Sequence, residues 1–392
     1  MSVHELALQR NKYKHLSDDE WRWFLQQVEG RERTADKLPT FAAIDDWWYP
    51  VRLSCEQCSS ELTAKYKAGL CSVSPKDGLY SVRRSRSFVD LTAGYGVDTY
   101  FLSEHFTHAD YVEQNAELCR IAEHNFQCTV HNAQCTIHNT TAEDFLQSAG
   151  LYDLIFADPA RRDSHGGKVF RLADCTPNIV ELLPTLLNHL TPDGRLMLKL
   201  SPMLDITQAI KELSAVSWDV HIVAIKNEVK EVLLVSTKGQ WTMNNGRITA
   251  IDLAEPEKAF VFTREEEKEA VCQMVNGTCE NSKWLYEPNA AILKAGAYKL
   301  VAQRFGLMKL DVNTHLYASD TLVENFPGRV WKVNSQCSMH NAQISQANVL
   351  VRNYPLTAEQ LKKKLHLRDG GETFIIGCRV NGKPVLFEAE RI

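Results

Sequence analysis

Between residues 87 and 236, short apolar runs alternate with amphipathic stretches, and this alternation is the strongest pattern in the chain. Phe88-Val89-Asp90-Leu91 reads as a buried strand and Val97 to His105 as the helix after it. Tyr111-Val112-Glu113 ends a second strand, and Ala116 to Phe126 forms the next helix. Cys135-Thr136-Ile137-His138 and Leu154-Ile155-Phe156-Ala157 are further strands. Asn178 to Leu190 is a helix, Arg195 to Leu200 a strand and Ile206 to Leu213 a helix. Strands separated by helices predict a mostly parallel α/β sheet of the doubly wound, Rossmann-like kind. Val220 to Ile225 and Val232 to Ser236 follow with too little between them for a crossover helix, which predicts an antiparallel edge.

On either side the pattern differs. Residues 1–70 read as an N-terminal helical region. Ser17-Asp18-Asp19-Glu20 forms an N-cap and first turn, ahead of Trp21, Phe24, Leu25 and Val28 at helical spacing. Pro39 and Pro50 punctuate it, and a second helix covers Cys55 to Leu70. The α/β segment takes 71–245. After Gly239 the alternation stops: Glu265 to Glu269 is helical, Tyr286-Glu287-Pro288-Asn289 reads as a turn, and Ala290 to Phe305 as a helix. Strands return from about 320 at Val330 to Val333, Ala347 to Arg352, Phe374 to Val380 and Val385 to Glu388, with a helix from Thr357 to Leu365. A middle segment of 246–320 and a small β-rich domain of 321–392 are therefore expected.

Composition narrows the class. At 392 residues the chain exceeds the roughly 150 of one ordinary domain. No run of eighteen or more apolar residues appears, so no membrane span is expected. The start, Met1-Ser2-Val3-His4-Glu5, lacks the basic flank and apolar stretch of a signal peptide, and a cytoplasmic location is the expectation. The 11 cysteines are odd in number and scattered, unlike an oxidised secreted scaffold. The lone pair Cys55 and Cys58 lacks a second pair at zinc-finger spacing, so no metal is expected there or elsewhere. A net charge of −5 does not advertise nucleic acid, though binding can use one local face. Short basic clusters stand at Arg83-Arg84-Ser85-Arg86, at Arg161-Arg162 and at Lys362-Lys363-Lys364.

The chemistry concentrates at the end of the first strand, in Asp90-Leu91-Thr92-Ala93-Gly94-Tyr95-Gly96-Val97-Asp98. Ligands sit at this edge of a doubly wound sheet, and Gly94 and Gly96 let the backbone turn tightly without a Cβ in the way. A dinucleotide loop would carry a third glycine, which is missing. The arrangement resembles motif I of class I S-adenosylmethionine-dependent methyltransferases. The resemblance implies that Asp90, Thr92, Ala93, Gly94 and Gly96 meet the cofactor, the loop passing under its methionine part. Glu113 at the end of the second strand suits the ribose hydroxyls. Asp144, after the third strand, matches the position facing the adenine amino group.

Asp158-Pro159-Ala160-Arg161-Arg162 follows the fourth strand, where that class keeps residues meeting the substrate, so Asp158, Arg161 and Arg162 are candidates. Base amino-methyltransferases carry Asp/Asn-Pro-Pro-aromatic there. This chain has the Asp-Pro and lacks the second proline and the aromatic. A second reading rests on Lys67, Asp158, Lys199 and Glu231, whose order is similar to the Lys-Asp-Lys-Glu set of FtsJ-like ribose 2′-O-methyltransferases. A lysine held between carboxylates can orient or deprotonate a hydroxyl whose free pKa is far too high.

The whole chain resembles a bacterial class I methyltransferase family with a C-terminal THUMP-like domain. The segments carrying this are Thr63-Ala64-Lys65-Tyr66-Lys67-Ala68, the glycine loop, Asp158 to Asp163, and Lys199-Leu200-Ser201-Pro202-Met203-Leu204-Asp205. Tyr286-Glu287-Pro288-Asn289, Phe326-Pro327-Gly328-Arg329 and Asn348 to Pro355 continue it. Val229 stands where that family carries a cysteine. The resemblance implies that 246–320 is ferredoxin-like and 321–392 THUMP-like, and it makes RNA, tRNA or rRNA, the expected partner. Arg352, Lys362, Lys363, Lys364 and Arg368 can form a phosphate-contacting face or the wet side of one helix. Methylation of a protein or small molecule, and cofactor-dependent RNA binding without turnover, remain the alternatives.

Overall fold

The computed structural model describes residues 3–72, 86–129, 133–161, 171–240, 246–277, 282–337 and 344–392. They form two compact units, Met1–Trp218 with Leu233–Asn244, and Asp219–Val232 with Asn245–Ile392.

The longer helices of the N-terminal part of the first unit are α1 (Asp18–Thr34), α2 (Arg52–Gln57) and α3 (Glu61–Leu70). Ser17 and Glu20 form a reciprocal capping box on α1. The expected helix over Cys55 to Leu70 is two helices, because Ser60 leaves helical geometry and caps α3 through the Thr63 amide. The alternating segment follows as β1 (Ser87–Asp90), α4 (Val97–Leu102), β2 (His108–Val112) and α5 (Ala116–Gln127). Then come β3 (Gln134–His138), α6 (Ala142–Leu146), β4 (Tyr152–Ala157), α7 (Ile179–Asn188) and β5 (Leu190–Leu200). All pairings among these five strands are parallel, in the order β5-β4-β1-β2-β3. The order reverses beside β1, so a crevice opens at the carboxyl ends of β1 and β4, where such sheets take ligands. The N-terminal helices pack on this edge: Leu38, Phe41, Trp47, Tyr49, Ala64 and Ala68 share one buried cluster with Tyr95, Val97, Phe101 and Ile121. At about 1.5–3 kcal/mol for each large apolar side chain withdrawn from water, this cluster ties the helices firmly to the glycine-loop side.

In the second unit, strand β6 (Asp219–Ile225) turns into β7 (Glu228–Thr237), which crosses back into the first unit after Val232. Lys226 and Asn227 both hold positive φ, 51° and 65°, as a two-residue primed turn requires. The expected end of the sheet at Ser236 is corrected here. Strands β8 (Arg247–Asp252) and β9 (Phe260–Thr263) follow within the second unit, β8 parallel to β6 and β9 antiparallel to β8. Only nine residues separate β7 from β8, too few for a helix of ordinary length, so the alternation gave no cue.

The expected turn at Tyr286–Asn289 is also corrected. Trp284–Pro288 is strand β10, and Asn289 caps the helix after it. That helix is not continuous to Phe305: Gly296, at φ 79°, ends it and a second runs over Tyr298–Phe305. β10 lies in a seven-stranded sheet with β11 (Met308–Asp311), β12 (Thr314–Ser319), β13 (Gly328–Cys337), β14 (Asn348–Arg352), β15 (Thr373–Val380) and β16 (Lys383–Arg391). The order is β11-β12-β10-β13-β16-β15-β14, over a core that includes Leu285, Leu316, Trp331, Ile376 and Phe387. No helix among the described residues is long and apolar enough to cross a membrane.

Candidate functional site

The crevice of the first unit holds a cavity of about 310 Å³, within the range of small-molecule sites. It is bordered by the loop Asp90–Tyr95, by Glu113 and Gln114 after β2, and by Thr140–Glu143 after β3. Asp158 and Ala160 after β4, Lys199 near the end of β5, and Ser54, Gln57, Cys58 and Ser59 from the N-terminal helices complete it.

The loop owes its shape to two glycines. Gly94 and Gly96 have φ of 56° and 81°, the left-handed region that other residues enter at a cost. A Cβ on Gly96 would also stand 3.2 Å from the Phe126 ring and 3.3 Å from that of Tyr111. Gly96 therefore shapes the turn and is not itself among the lining residues, whereas Thr92, Ala93 and Gly94 are. The Thr92 hydroxyl accepts the Asp158 amide at 2.6 Å, tying the loop to the segment after β4.

Five carboxylates border this space: Asp90, Asp98, Glu113, Glu143 and Asp158. Asp90 accepts from the Thr92 amide at 3.1 Å and the Thr99 hydroxyl at 2.7 Å. Burial pushes its carboxyl up to about 7, and the nearby charges of Asp98 and Asp158 add to that against the two hydrogen bonds. Glu113 accepts the Gly94 amide at 3.0 Å and the Asn115 amide at 2.8 Å. Asp144 is not among the lining residues: its carboxylate accepts from the Thr141 hydroxyl at 2.9 Å and the Gln147 amide at 3.3 Å, and its neighbour Glu143 borders the cavity.

At the reacting end, Lys199 forms a short ion pair with Asp158 and lies 3.9 Å from Asp98. Lys67, fully buried, lies 3.1 Å from Asp98 and donates to the Ser59 hydroxyl at 3.2 Å. Ser59 in turn donates to Asp98 at 2.7 Å. Burial opposes ionisation of Asp98, but the ammonium groups of Lys67 and Lys199 and the Ser59 bond hold its carboxyl below the ordinary range. The structure thus joins Lys67, Lys199 and Asp158 through a residue that sequence reasoning did not single out. Asp98 stands in the glycine-loop motif, but no spacing rule relates it to a lysine 31 positions earlier. Glu231 is buried on β7, within the part that belongs to the second unit. The backbone of Arg161 pairs with Cys175; its side chain and all of Arg162 lie outside the described residues, as do Arg83, Arg84 and Ser85.

In the second unit, Arg352 is committed to Glu287, and Lys362 to Asp369. Lys363, Lys364 and Arg368 are exposed.

Two domain families match the carboxyl-terminal part: a ferredoxin-like domain over residues 284–327 and a THUMP domain-like family over 328–391. A crystal structure described as a "putative methyltransferase" from Porphyromonas gingivalis W83 is 31% identical and superimposes with a TM-score of 0.83, over 96% of this chain and 92% of that one. Two Mycobacterium tuberculosis proteins, from strains CDC 1551 and H37Rv, are each described as an uncharacterized S-adenosylmethionine-dependent methyltransferase. Each is 23% identical over 237 residues, which is 58% of this chain, and the match spans 60% of the length of those relatives.

Proposed function

The chain belongs to the class I S-adenosylmethionine-dependent methyltransferase family with ferredoxin-like and THUMP-like domains, and from that premise we propose that it methylates RNA in the cytoplasm. The observation that carries the reading is the Asp158–Lys199 pair bordering the same cavity as the glycine loop. The THUMP-like segment supports RNA, tRNA or rRNA, as the acceptor.

The donor set fits the cofactor. The left-handed Gly94 presents backbone with no side chain to the cavity, Glu113 offers acceptors for vicinal hydroxyls, and Asp90 offers a carboxylate toward a cation. Bound there, S-adenosylmethionine supplies an already activated methyl on a sulfonium. What remains for the protein is to hold the nucleophile in line and exclude water. We assign that task to Asp158, with Lys199 fixed between it and Asp98 as the partner that orients it. Asp158 accepts the hydrogen of the incoming group, and the proton passes to its carboxylate as the methyl transfers. Lys67 and Ser59 hold Asp98 from behind.

The position after Pro159 is Ala160, which offers no ring for a flipped base to stack on. This favours a ribose 2′-hydroxyl over a base nitrogen. The test is transfer of labelled methyl from S-adenosylmethionine into total RNA from a strain lacking the gene, followed by nuclease digestion. A labelled 2′-O-methyl nucleoside is expected. A labelled base would move the target to a nitrogen, and no label in RNA despite measured cofactor binding would contradict the reading.

A further inference from the structure

A second cluster of chemically versatile side chains lies on the first unit, away from the cavity. Asp46, in the N-terminal segment, meets His124 on α5 and Cys128 just past its end. His124 and Cys128 are four residues apart, one helical turn, so both present to the same side. The Cys128 sulfur lies 3.5 Å from His124 Nε2, and Asp46 Oδ2 lies 3.5 Å from Nε2 and 4.0 Å from the sulfur.

These separations have a specific meaning. A tetrahedral zinc ion with Zn–N and Zn–O near 2.1 Å and Zn–S near 2.3 Å holds its donors about 3.3–3.6 Å apart. Two edges of the triangle already match, and the third exceeds the range by about 0.4 Å, less than a small rotation of an exposed carboxylate covers. The middle ligand is held in place: the His124 ring stacks on Trp48 with centroids 3.7 Å apart and planes 10° apart. Asn125 fastens the same two elements, accepting the Trp48 amide at 2.8 Å and donating to its carbonyl at 2.9 Å. His124 Nε2 also lies 2.8 Å from the Asp46 carbonyl, so binding an ion trades one hydrogen bond for a metal bond.

We propose that Asp46, His124 and Cys128 form a zinc site that staples the N-terminal segment to α5, with a water as the fourth ligand. The mixed sulfur, nitrogen and oxygen donors suit a borderline ion such as zinc better than magnesium or calcium. This departs from the expectation of no metal, which rested on Cys55 and Cys58; Asp46 stands 78 positions before His124, too far for a sequence motif to join them. The site serves the fold, because the stapled segment continues into Trp47, whose indole donates to the Tyr95 hydroxyl at 2.7 Å within the glycine loop. The inference does not depend on which substrate is methylated.

The experiment uses the full chain, stripped with a chelator and titrated with cobalt(II) as a spectroscopic stand-in. One equivalent is expected to produce a thiolate-to-cobalt charge-transfer band that zinc then displaces. Cys128→Ser removes the band and weakens binding at least ~100-fold, and Asp46→Asn weakens it about 10-fold. A Cys55→Ser/Cys58→Ser double variant leaves the band intact. Circular dichroism of Cys128→Ser, an exposed position, verifies that the fold is retained. Absence of the band in the parent chain, or its survival in Cys128→Ser, overturns the proposal.

Discussion

Asp98 in the first unit and Glu287 in the second are both carboxylates withdrawn from water and flanked by two cations, yet their surroundings differ. The partners of Asp98 are Lys67 and Lys199, whose side chains are 0% and 12% exposed. Those of Glu287 are Arg329, 3.4 Å away, and Arg352, both about one-third exposed. Around Glu287 the guanidinium groups keep part of their hydration, and the cluster joins β10 to β13 and to the end of β14, across the boundary between the ferredoxin-like and THUMP-like segments. It is a tie within one sheet. Around Asp98 both ammonium groups are desolvated, which is costly, and a buried ion cluster is weak ground for stability. One of those lysines reaches onward to Asp158, which borders the cavity. A costly cluster that ends at an open cavity is the arrangement expected where charges are held for chemistry.

The sharpest way to separate the two clusters is Asp158→Ala. Methyl transfer is expected to fall by about 10²–10⁴-fold, while the unfolding free energy, read by denaturant titration, drops by only about 1–3 kcal/mol, because Lys199 keeps Asp98 as a partner. Lys67→Met comes next. It leaves Asp98 buried with one partner fewer and should cost about 3–5 kcal/mol of stability, with part of the loss recovered in the Lys67→Met/Asp98→Asn double variant. An unfolding curve equal to the parent's would mean that Asp98 does not depend on Lys67. Glu287→Gln should cost less, about 1–2 kcal/mol, because its partly exposed partners can rehydrate, and cofactor affinity measured by calorimetry should not change.

The smallest effect is one of pH. Asp90, raised from 3.8 to about 7, is protonated in the fold at pH values where the unfolded chain is ionised. Its contribution to stability is therefore full below about pH 4 and declines as pH rises toward 7. The same titration places a negative charge beside the cavity above pH 7, so affinity for a cationic cofactor should rise by up to about tenfold between pH 6 and 8. Asp90→Asn should flatten that rise.

The same contrast explains what could be read from the chain itself. The glycine loop was legible because its information is local: an acid ends a strand, two glycines follow and a helix begins. Lys67 and Lys199 came into view through family resemblance, while Asp98, which joins them, did not, because its partners arrive from α3 and β5. Strand β8 is hard to read in the sequence because the nine residues between Thr237 and Arg247 are too few for the helix that marks a crossover. Tyr286 to Asn289 reads as a turn in the sequence, yet Pro288 closes β10 opposite Gly328 and Asn289 takes up the cap of the next helix. In each case the local signal was sound, and a partner distant in sequence decided the outcome.

The most direct measurement of the central claim is single-turnover methyl transfer to RNA from a gene-deletion strain, comparing the parent chain with Lys199→Ala at saturating S-adenosylmethionine. The account predicts a transfer rate at least ~100-fold lower with cofactor affinity within about threefold of the parent's. A rate unchanged by the substitution, with the fold and cofactor binding intact, would contradict the assignment of the Asp158–Lys199 pair to the reaction.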